Sequence, residues 1–286
     1  MTGRVLIAGC GDVGTEAGLR LAALGYEVFG GRRSPDVLPP AITGVHLDLE
    51  RELGPLPAGL DLVVHAAAAG GRGAAGYAAV YRDGLDRLLR RLAQEGQSRR
   101  RVLFVSATSV YGQADGSEVD EDTPAVPVRA TGRILLEAER LLADSPFAGT
   151  SLRLAGIYGP GRTRLIDTVR DGTARQPSGD HPTNRIHRDD AAAAIVHLLT
   201  AVEDPQPIHL GVDHDQAQLA EVQRFLAAEL GVPAPPPAEP DSDAGRRSGA
   251  KRCRGDRLRA TGFVHRFPTY REGYRAVLAG EGVRHP

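Results

Sequence analysis

Residues 4–14 read RVLIAGCGDVG, and this stretch decides the fold. The apolar run Val5–Ala8 is typical of a buried strand and leads directly into glycines with the spacing GxGxxG. These glycines are Gly9, Gly11 and Gly14. At a strand–turn–helix junction the first permits the turn, the second lets a pyrophosphate approach the backbone, and the third lets the helix pack on the strand. The helix N-terminus at Asp12 and Val13 favours phosphate, so the segment predicts a dinucleotide-binding turn.

The end of the second predicted strand indicates which dinucleotide binds. Proteins that bind NAD place an acidic residue there, where it accepts hydrogen bonds from the ribose hydroxyls. Here Glu27–Gly31 is followed by Arg32, Arg33 and Ser34. A guanidinium group matches a 2′-phosphate, and no carboxylate is present in this stretch to repel one. The sequence therefore favours NADP(H).

Strand and helix signals alternate along the chain, which predicts an α/β protein with a doubly wound parallel sheet of the Rossmann type. Predicted strands cover residues 4–8, 27–31, 45–49, 60–65, 101–105, 150–157 and 208–212. Predicted helices cover residues 13–24, 77–94, 133–143, 189–199 and 219–230. We expect an NADP-binding domain over residues 1–158, with the helix at 189–200 packed on it, and a smaller substrate-binding lobe over residues 159–286. Residues 113–131 and 233–249 are predicted surface loops, the first with a solvated acidic cluster.

Composition restricts the partners. The formal charge of the 286 residues is −1, so nucleic acid is not expected as a ligand. Cys10 and Cys253 are far apart and have no second pair, which predicts neither a disulfide framework nor a metal site. No apolar run approaches the ~20 residues of a membrane span, and no signal peptide is recognisable. We expect a cytoplasmic protein with no membrane partner, and the sequence leaves a homodimer open.

Several further motifs occur in a characteristic order. They are DLVVHAAA at 61–68, VSATSVYG at 105–112, RLAGIYGPG at 153–161 and NRIHRDDAA at 184–192. With the glycine motif, they make the chain resemble the extended short-chain dehydrogenase/reductases, and most closely an atypical subgroup of epimerase-like proteins. The resemblance implies that Ala66, Ala67 and Ala68 lie beside the diphosphate and nicotinamide ribose. It also implies that Asp48 and Leu49 contact the adenine.

The same resemblance shows where the chain departs from the family. The family relays protons through a serine or threonine, a tyrosine and a lysine. The corresponding positions here are Ala107, Thr131 and Leu135, so all three roles are vacant. Lys251 is the only lysine and lies far downstream. Ordinary alcohol dehydrogenation is therefore expected to be slow or absent.

The residues expected near the substrate also differ from the family pattern. Nucleotide-sugar enzymes of the family carry an asparagine and an arginine where this chain has Gly156 and about Thr183. We therefore expect UDP- and dTDP-sugars to bind poorly, although Arg162, Arg164 and Arg185 suit an anionic group of a small-molecule substrate. The candidate catalytic residues are Ser109, Tyr111, Tyr158 and His187. The alternative interpretation is that each tyrosine is a packing residue and that the histidine is a structural residue near the start of a helix.

Three functions remain open from the sequence. The first is an NADP(H)-binding, epimerase/dehydratase-like oxidoreductase that acts on a small hydroxyl or carbonyl substrate with a substitute acid or water. The second is a lyase, isomerase or cyclase without a hydride step. The third is a catalytically silent NADP(H)-sensing or partner-binding module. The intact phosphate turn and the vacant relay favour this third function, whereas an intact substrate lobe, which a pure sensor does not need, favours the first two.

Overall fold

The computed structural model describes residues 3–70, 73–95, 100–239 and 250–286. Seven parallel strands form the main sheet in the order β10-β7-β5-β4-β1-β2-β3. Its strands are β1 Arg4–Ala8, β2 Glu27–Arg32, β3 Thr43–His46, β4 Leu62–His65, β5 Arg101–Ala107, β7 Ala148–Leu154 and β10 Ile208–Gly211. The order reverses between β1 and β4, and ligands of such sheets bind outside the carboxyl ends of the strands at that point. The predicted doubly wound α/β fold is confirmed.

Helices cover both faces of the sheet. They are α1 Asp12–Ala23, α2 Gly73–Tyr77, α3 Asp83–Gln94, α4 Ala130–Ala143, α5 Arg164–Arg170, α6 Arg188–Thr200, α7 Leu219–Leu230, α8 Asp256–Ala260 and α9 Tyr270–Leu278. α3 and α4 bury leucines on one face, among them Leu88 and Leu142. α1 and α6 pack together on the other face, where Leu21 and Ile195 are fully buried.

A smaller unit stands beyond the carboxyl ends of the strands. α5, α7 and α9 share an apolar core that includes Val169, Leu226 and Tyr274. Two small parallel sheets join this unit to the rest, one between β8 Gly156–Tyr158 and β9 Arg185–His187, the other between β6 Glu118–Val119 and β11 Arg252–Cys253. Because β10 and α6 return to the main sheet, the chain crosses between the two units more than once. The division at residue 158 remains a prediction.

Several elements differ from the sequence prediction. The predicted helix 77–94 begins at Gly73 and contains a π-helical turn at Ala78–Arg82. The strand predicted over 150–157 is interrupted at Ala155, so that β7 and β8 belong to different sheets. The predicted strand 45–49 lies instead at Thr43–His46. The periodic signal is weak in short elements, which explains why α5, α8 and α9 were not predicted.

The loop at 113–131 is not entirely solvated. β6 forms within it, and Glu121 is buried, with its carboxylate accepting a hydrogen bond of 2.9 Å from the Leu210 amide. The expectation of a solvated acidic face is therefore wrong for Glu121. The loop predicted over 233–249 lies largely outside the described residues, at 240–249. Within the described ranges, no helix combines the length and apolarity that a membrane crossing requires.

Candidate active site

The glycines of the β1–α1 turn meet different constraints. Gly9 has a φ of +84°, and a Cβ added there would lie 2.2 Å from the Cα of Ala67, so both the turn and the neighbouring backbone require glycine. A Cβ at Gly14 would lie 3.0 Å from a methyl group of Ile7, where the helix packs on β1. At Gly11 an added Cβ would meet no described protein atom within 4 Å. Protein packing therefore does not require glycine at Gly11, whereas the close approach of a pyrophosphate would.

A cleft of about 550 Å³ lies over this turn, at the carboxyl ends of the strands. All the residues predicted to bind cofactor line it except Gly14. Those lining residues are Gly9, Gly11, Asp12, Val13, Arg32, Arg33, Asp48, Leu49, Ala66, Ala67 and Ala68. The structure thus brings together residues from four separate loops. The shape and the amide-rich turn fit an extended dinucleotide, although contact of each residue with cofactor stays a prediction.

The two arginines at the end of β2 differ in their surroundings. Arg32 is half-buried and donates from Nη1 to the carbonyl of Cys10 at 3.2 Å and to that of Pro286 at 2.9 Å. Arg33 is exposed. Cys10 itself is fully buried, and burial raises the pKa of its thiol. A buried thiol with a raised pKa is a poor nucleophile, so Cys10 is a packing residue of the turn.

Asp12 lies at the centre of a group of charged residues around the β1–α1 turn. Its carboxylate accepts hydrogen bonds from Arg162 at 2.8 Å, from Arg188 at 2.5 Å and from the His285 amide at 3.1 Å. Burial opposes ionisation, but these partners outweigh it and lower the pKa of Asp12. Arg188 also donates to the carbonyl of Val283. Residues 283–286 are therefore held close to the turn.

A second cavity, of about 1050 Å³, lies between the sheet and the smaller unit. It shares the lining residues Ile157 and Arg162 with the cleft. The charged side chains on its described lining are all cationic, and they are Arg129, Arg162, Arg164, Arg185 and Lys251. This charge and the position next to the cleft make the cavity the candidate substrate pocket.

Tyr111 lines this pocket, but its hydroxyl belongs to a buried network. The hydroxyl donates to the carbonyl of Asp120 at 2.6 Å and accepts from Arg153 at 2.6 Å. Arg153 in turn binds Glu139 through two nitrogens, and Glu139 accepts from Ser106 at 2.6 Å. Burial raises the pKa of Tyr111 to about 12, despite the charge of Arg153. These contacts favour a structural role in holding the ends of β5 and β7.

Tyr158 and His187 lie together, with ring centroids 5.3 Å apart. The Tyr158 hydroxyl is buried without a hydrogen-bond partner among the described residues, and a Cβ at Gly273 would lie 1.9 Å from it. Burial, together with the charge of Asp213, raises the pKa of Tyr158. His187 accepts a hydrogen bond from the Asp189 amide and so caps α6, and burial lowers its pKa to about 4.

Ser109 is exposed and lies on the wall of the substrate pocket. Of the four candidate catalytic residues, Ser109, Tyr111 and Tyr158 line this pocket, whereas His187 does not. The three positions that correspond to the family relay do not line the substrate pocket. Ala107 and Leu135 line the cofactor cleft with apolar atoms, and Thr131 lies in the first turn of α4.

Sequence reasoning missed two parts of the site. One is the Glu139–Arg153 pair, whose ion pair is 2.6 Å long and whose side chains are 5% and 3% exposed. A charge inside the apolar strand SLRLAGIY was the available signal. The other is Lys251, which the fold brings into the substrate pocket. No local pattern pointed to this lysine. Groups of three or more potential metal ligands do not occur in the described ranges.

The profile of the NAD-dependent epimerase/dehydratase family matches residues 5–211, and the chain belongs to this family. The resemblance noted in the sequence is thereby confirmed. Protein YeeZ of Escherichia coli K12 is 35% identical over 213 residues, which cover 69% of this chain and 73% of YeeZ.

Two further relatives extend the comparison. The 3-diazoavenalumate denitrifying reductase of a Streptomyces species is 34% identical over 169 residues, or 53% of this chain and 54% of the reductase. A solved structure of an epimerase/dehydratase-type protein from Methylobacillus flagellatus is 34% identical. The match covers 98% of this chain and 99% of that one, with a TM-score of 0.79. The fold is therefore shared over nearly the whole length.

Proposed function

We propose that this chain is an NADP(H)-dependent oxidoreductase that acts on a small anionic substrate with a hydroxyl or carbonyl group, and that it works without the serine–tyrosine–lysine relay. The observation that carries the proposal is the cleft itself, where the GxGxxG turn, Arg32 and Arg33 face one cavity. The cofactor, when bound, donates or accepts a hydride. The protein binds and orients the two reactants so that they meet near Ile157 and Arg162, which both cavities share.

The preference for NADP(H) rests on charge. Arg32 is anchored by one carbonyl on the turn and one near the end of the sequence, which holds its guanidinium group at the rim of the cleft. Arg33 is exposed beside it. A guanidinium group in contact with a 2′-phosphate forms charge-assisted hydrogen bonds of about 1.5–3 kcal/mol, or roughly a ten- to hundredfold difference in affinity.

Calorimetric titration with NADPH and NADH tests this proposal. NADPH should bind the native protein more tightly, and the double variant Arg32→Ala/Arg33→Ala should lose roughly ten- to a hundredfold in affinity for NADPH with little change for NADH. Arg140→Ala is a matched control, because Arg140 is exposed on α4, away from the cleft lining. Equal affinities in the native protein, or tighter NADH, would refute the preference.

The anionic substrate is inferred from the second cavity. Arg129, Arg162, Arg164 and Arg185 line it, and its described lining contains no carboxylate. Arg185 is buried, and its Nη1 has no hydrogen-bond partner among the described residues. An unpaired buried guanidinium nitrogen is costly, and an anionic ligand would satisfy it. A sugar nucleotide is not expected, because Thr183 donates its hydroxyl to the carbonyl of Ala217 and offers no positive charge.

Because Ala107 and Leu135 are apolar, two candidate functions fit the site: an enzyme that works without the family relay, and a module that only binds the cofactor. One relative is named a reductase, which supports the first candidate, an enzyme that carries out a reduction with NADPH. A silent NADP(H)-binding module is the second candidate, because neither Ala107 nor Leu135 can donate a proton. Turnover of NADPH with a panel of small carboxylated ketones and aldehydes distinguishes them: oxidation of NADPH supports the enzyme, and tight binding without any oxidation supports the module. The cytoplasmic location and a homodimer stay predictions.

A further inference from the structure

Lys251 occupies an unusual place for a lysine. It is the only lysine beside 34 arginines in a chain with 35 basic residues, and its side chain is 6% exposed. Lysines are rarely buried, because their long flexible side chains are strongly hydrated. This one lies in the wall of the substrate pocket. A position that departs from both the composition of the chain and the usual exposure of lysine calls for a functional explanation.

Contacts from two directions hold Lys251 in place. The amide side chain of Asn184 donates to the carbonyl of Lys251 at 2.8 Å and accepts from the Cys253 amide at 2.8 Å, so it clamps the backbone of β11. At the other end of the side chain, Nζ donates to the carbonyl of Tyr111 at 3.2 Å. The lysine therefore connects β11 to the segment that follows β5. An ammonium group has three donors, and this is its one hydrogen bond to a described residue.

No carboxylate of the described pocket lining neutralises Lys251. The charged side chains on the described pocket lining are all cationic, and Arg129 is close enough to Lys251 to affect its ionisation. Burial lowers the pKa of the ammonium group, and Arg129 lowers it further, while the nearby Cys253 acts in the opposite direction. A buried cation among cations is costly unless an anion joins it.

We propose that Lys251 contacts the substrate directly and that, together with Arg129, it binds an anionic carboxylate or phosphate group of that substrate. This inference rests on the proposed function only for the existence of a substrate in this pocket. It assigns a residue that no motif of the sequence pointed to. Arginine at the same place would offer a larger planar group, whereas the compact ammonium fits between the Tyr111 carbonyl and a ligand oxygen.

Chemical labelling tests the proposal without knowledge of the substrate. Pyridoxal 5′-phosphate carries an aldehyde and a phosphate group. The neutral amine of Lys251 attacks the aldehyde carbon, water leaves, and borohydride reduces the resulting imine to a stable amine. Peptide mapping by mass spectrometry then separates Lys251 from the α-amino group. We expect Lys251 to be labelled about tenfold faster, or more, by pyridoxal 5′-phosphate than by pyridoxal, which lacks the anchoring phosphate.

Three controls make the result specific. Arg140→Lys places an ordinary exposed lysine in the same chain, and that lysine should show little preference for the phosphorylated reagent. Arg129→Gln should reduce labelling of Lys251 about tenfold, because one charge-assisted contact to the phosphate is lost. Competition with inorganic phosphate and with malonate separates the two kinds of anion, and protection by either supports the proposal.

Some outcomes would overturn it. They are labelling of Lys251 at equal rates by the two reagents, an Arg129→Gln variant that reacts like the native protein, or no protection by either anion. Lys251→Arg serves as the check that the modified peptide is the correct one. Because the labelling is done without NADP(H), its result is independent of cofactor binding. A protein that fails to bind NADPH but shows phosphate-dependent labelling would lose the proposed function and keep this inference.

Discussion

Gly9 and Gly11 provide a pair of substitutions that separates folding from cofactor binding. In Gly9→Ala the new methyl group would lie 2.2 Å from the Cα of Ala67, on a backbone with φ of +84°. The left-handed conformation costs an alanine roughly 1–2 kcal/mol. Overpacking against the Ala67 backbone costs a further ~1–3 kcal/mol. We therefore expect the free energy of unfolding to fall by about 2–5 kcal/mol, which lowers the melting temperature of a chain of this length by at least ~3 °C.

Gly11→Ala should behave in the opposite way. Gly11 has an extended backbone with φ of −95°, and the added methyl group would meet no described atom within 4 Å. Stability should change by no more than about 1 kcal/mol, the usual size of a helix N-cap effect. The methyl group would instead stand where the pyrophosphate approaches the turn. Loss of even one charge-assisted hydrogen bond there weakens NADPH binding roughly ten- to a hundredfold.

Differential scanning fluorimetry without cofactor and calorimetric titration with NADPH measure the two effects separately. An unstable Gly9→Ala variant and a stable Gly11→Ala variant that binds weakly would agree with the geometry of the turn. If Gly11→Ala bound NADPH like the native protein, the pyrophosphate would not lie over this turn. A Gly9→Ala variant as stable as the native protein would contradict the close approach of the Ala67 backbone to Gly9.

Three further variants test the interior of the site. Arg153→Met leaves the Glu139 carboxylate buried without its partner, so urea denaturation should show a loss of roughly 3–5 kcal/mol; a loss below about 1 kcal/mol would contradict the buried pair. Once a substrate is known, Tyr158→Phe should slow turnover more than Tyr111→Phe, because the Tyr111 hydroxyl is already occupied by Arg153 and a carbonyl; the reverse order in steady-state kinetics would restore Tyr111 as the candidate acid. Burial raises the pKa of Asp213 to about 8, so the folded state retains a proton that the unfolded state has lost, and stability should fall as pH rises from about 4 towards 8. Asp213→Asn should remove that part of the pH dependence in denaturation curves at pH 5, 7 and 9, and an unchanged pH dependence would show that Asp213 ionises normally.

The sequence was sufficient to predict that the residues assigned to the cofactor would come together, because each group of them lies at the end of a strand. Three of these groups lie at the carboxyl ends of strands: the glycine motif after β1, Arg32 and Arg33 at the end of β2, and Ala66–Ala68 after β4. The parallel sheet brings the carboxyl ends of all its strands to one edge. Gly9, Arg32 and Ala67 therefore share one cleft, although they lie far apart in the chain. For this part of the molecule the fold class was sufficient to predict the neighbours.

The substrate side could not be predicted in the same way. Arg129 and Lys251 are 122 residues apart and line one pocket. Lys251 directly precedes β11, which pairs with β6, and no periodic pattern marks a two-residue strand. The roles of Tyr111 and His187 depended on partners from other elements, namely Arg153 on β7 for the tyrosine and the first turn of α6 for the histidine. Such partners follow from packing, which the local sequence does not specify.

The contacts of Asp12 have a consequence for protein synthesis. The phosphate-binding turn is encoded within the first 14 residues, but Asp12 is held by Arg162, Arg188 and the amide of His285. A nascent chain therefore exposes the turn long before these partners leave the ribosome. During that time NADP(H) would meet an incomplete binding surface. A bound dinucleotide should therefore stabilise the protein mainly after Arg162, Arg188 and His285 have joined the turn, so its cellular supply would affect the lifetime of the folded protein more than the yield of early folding intermediates.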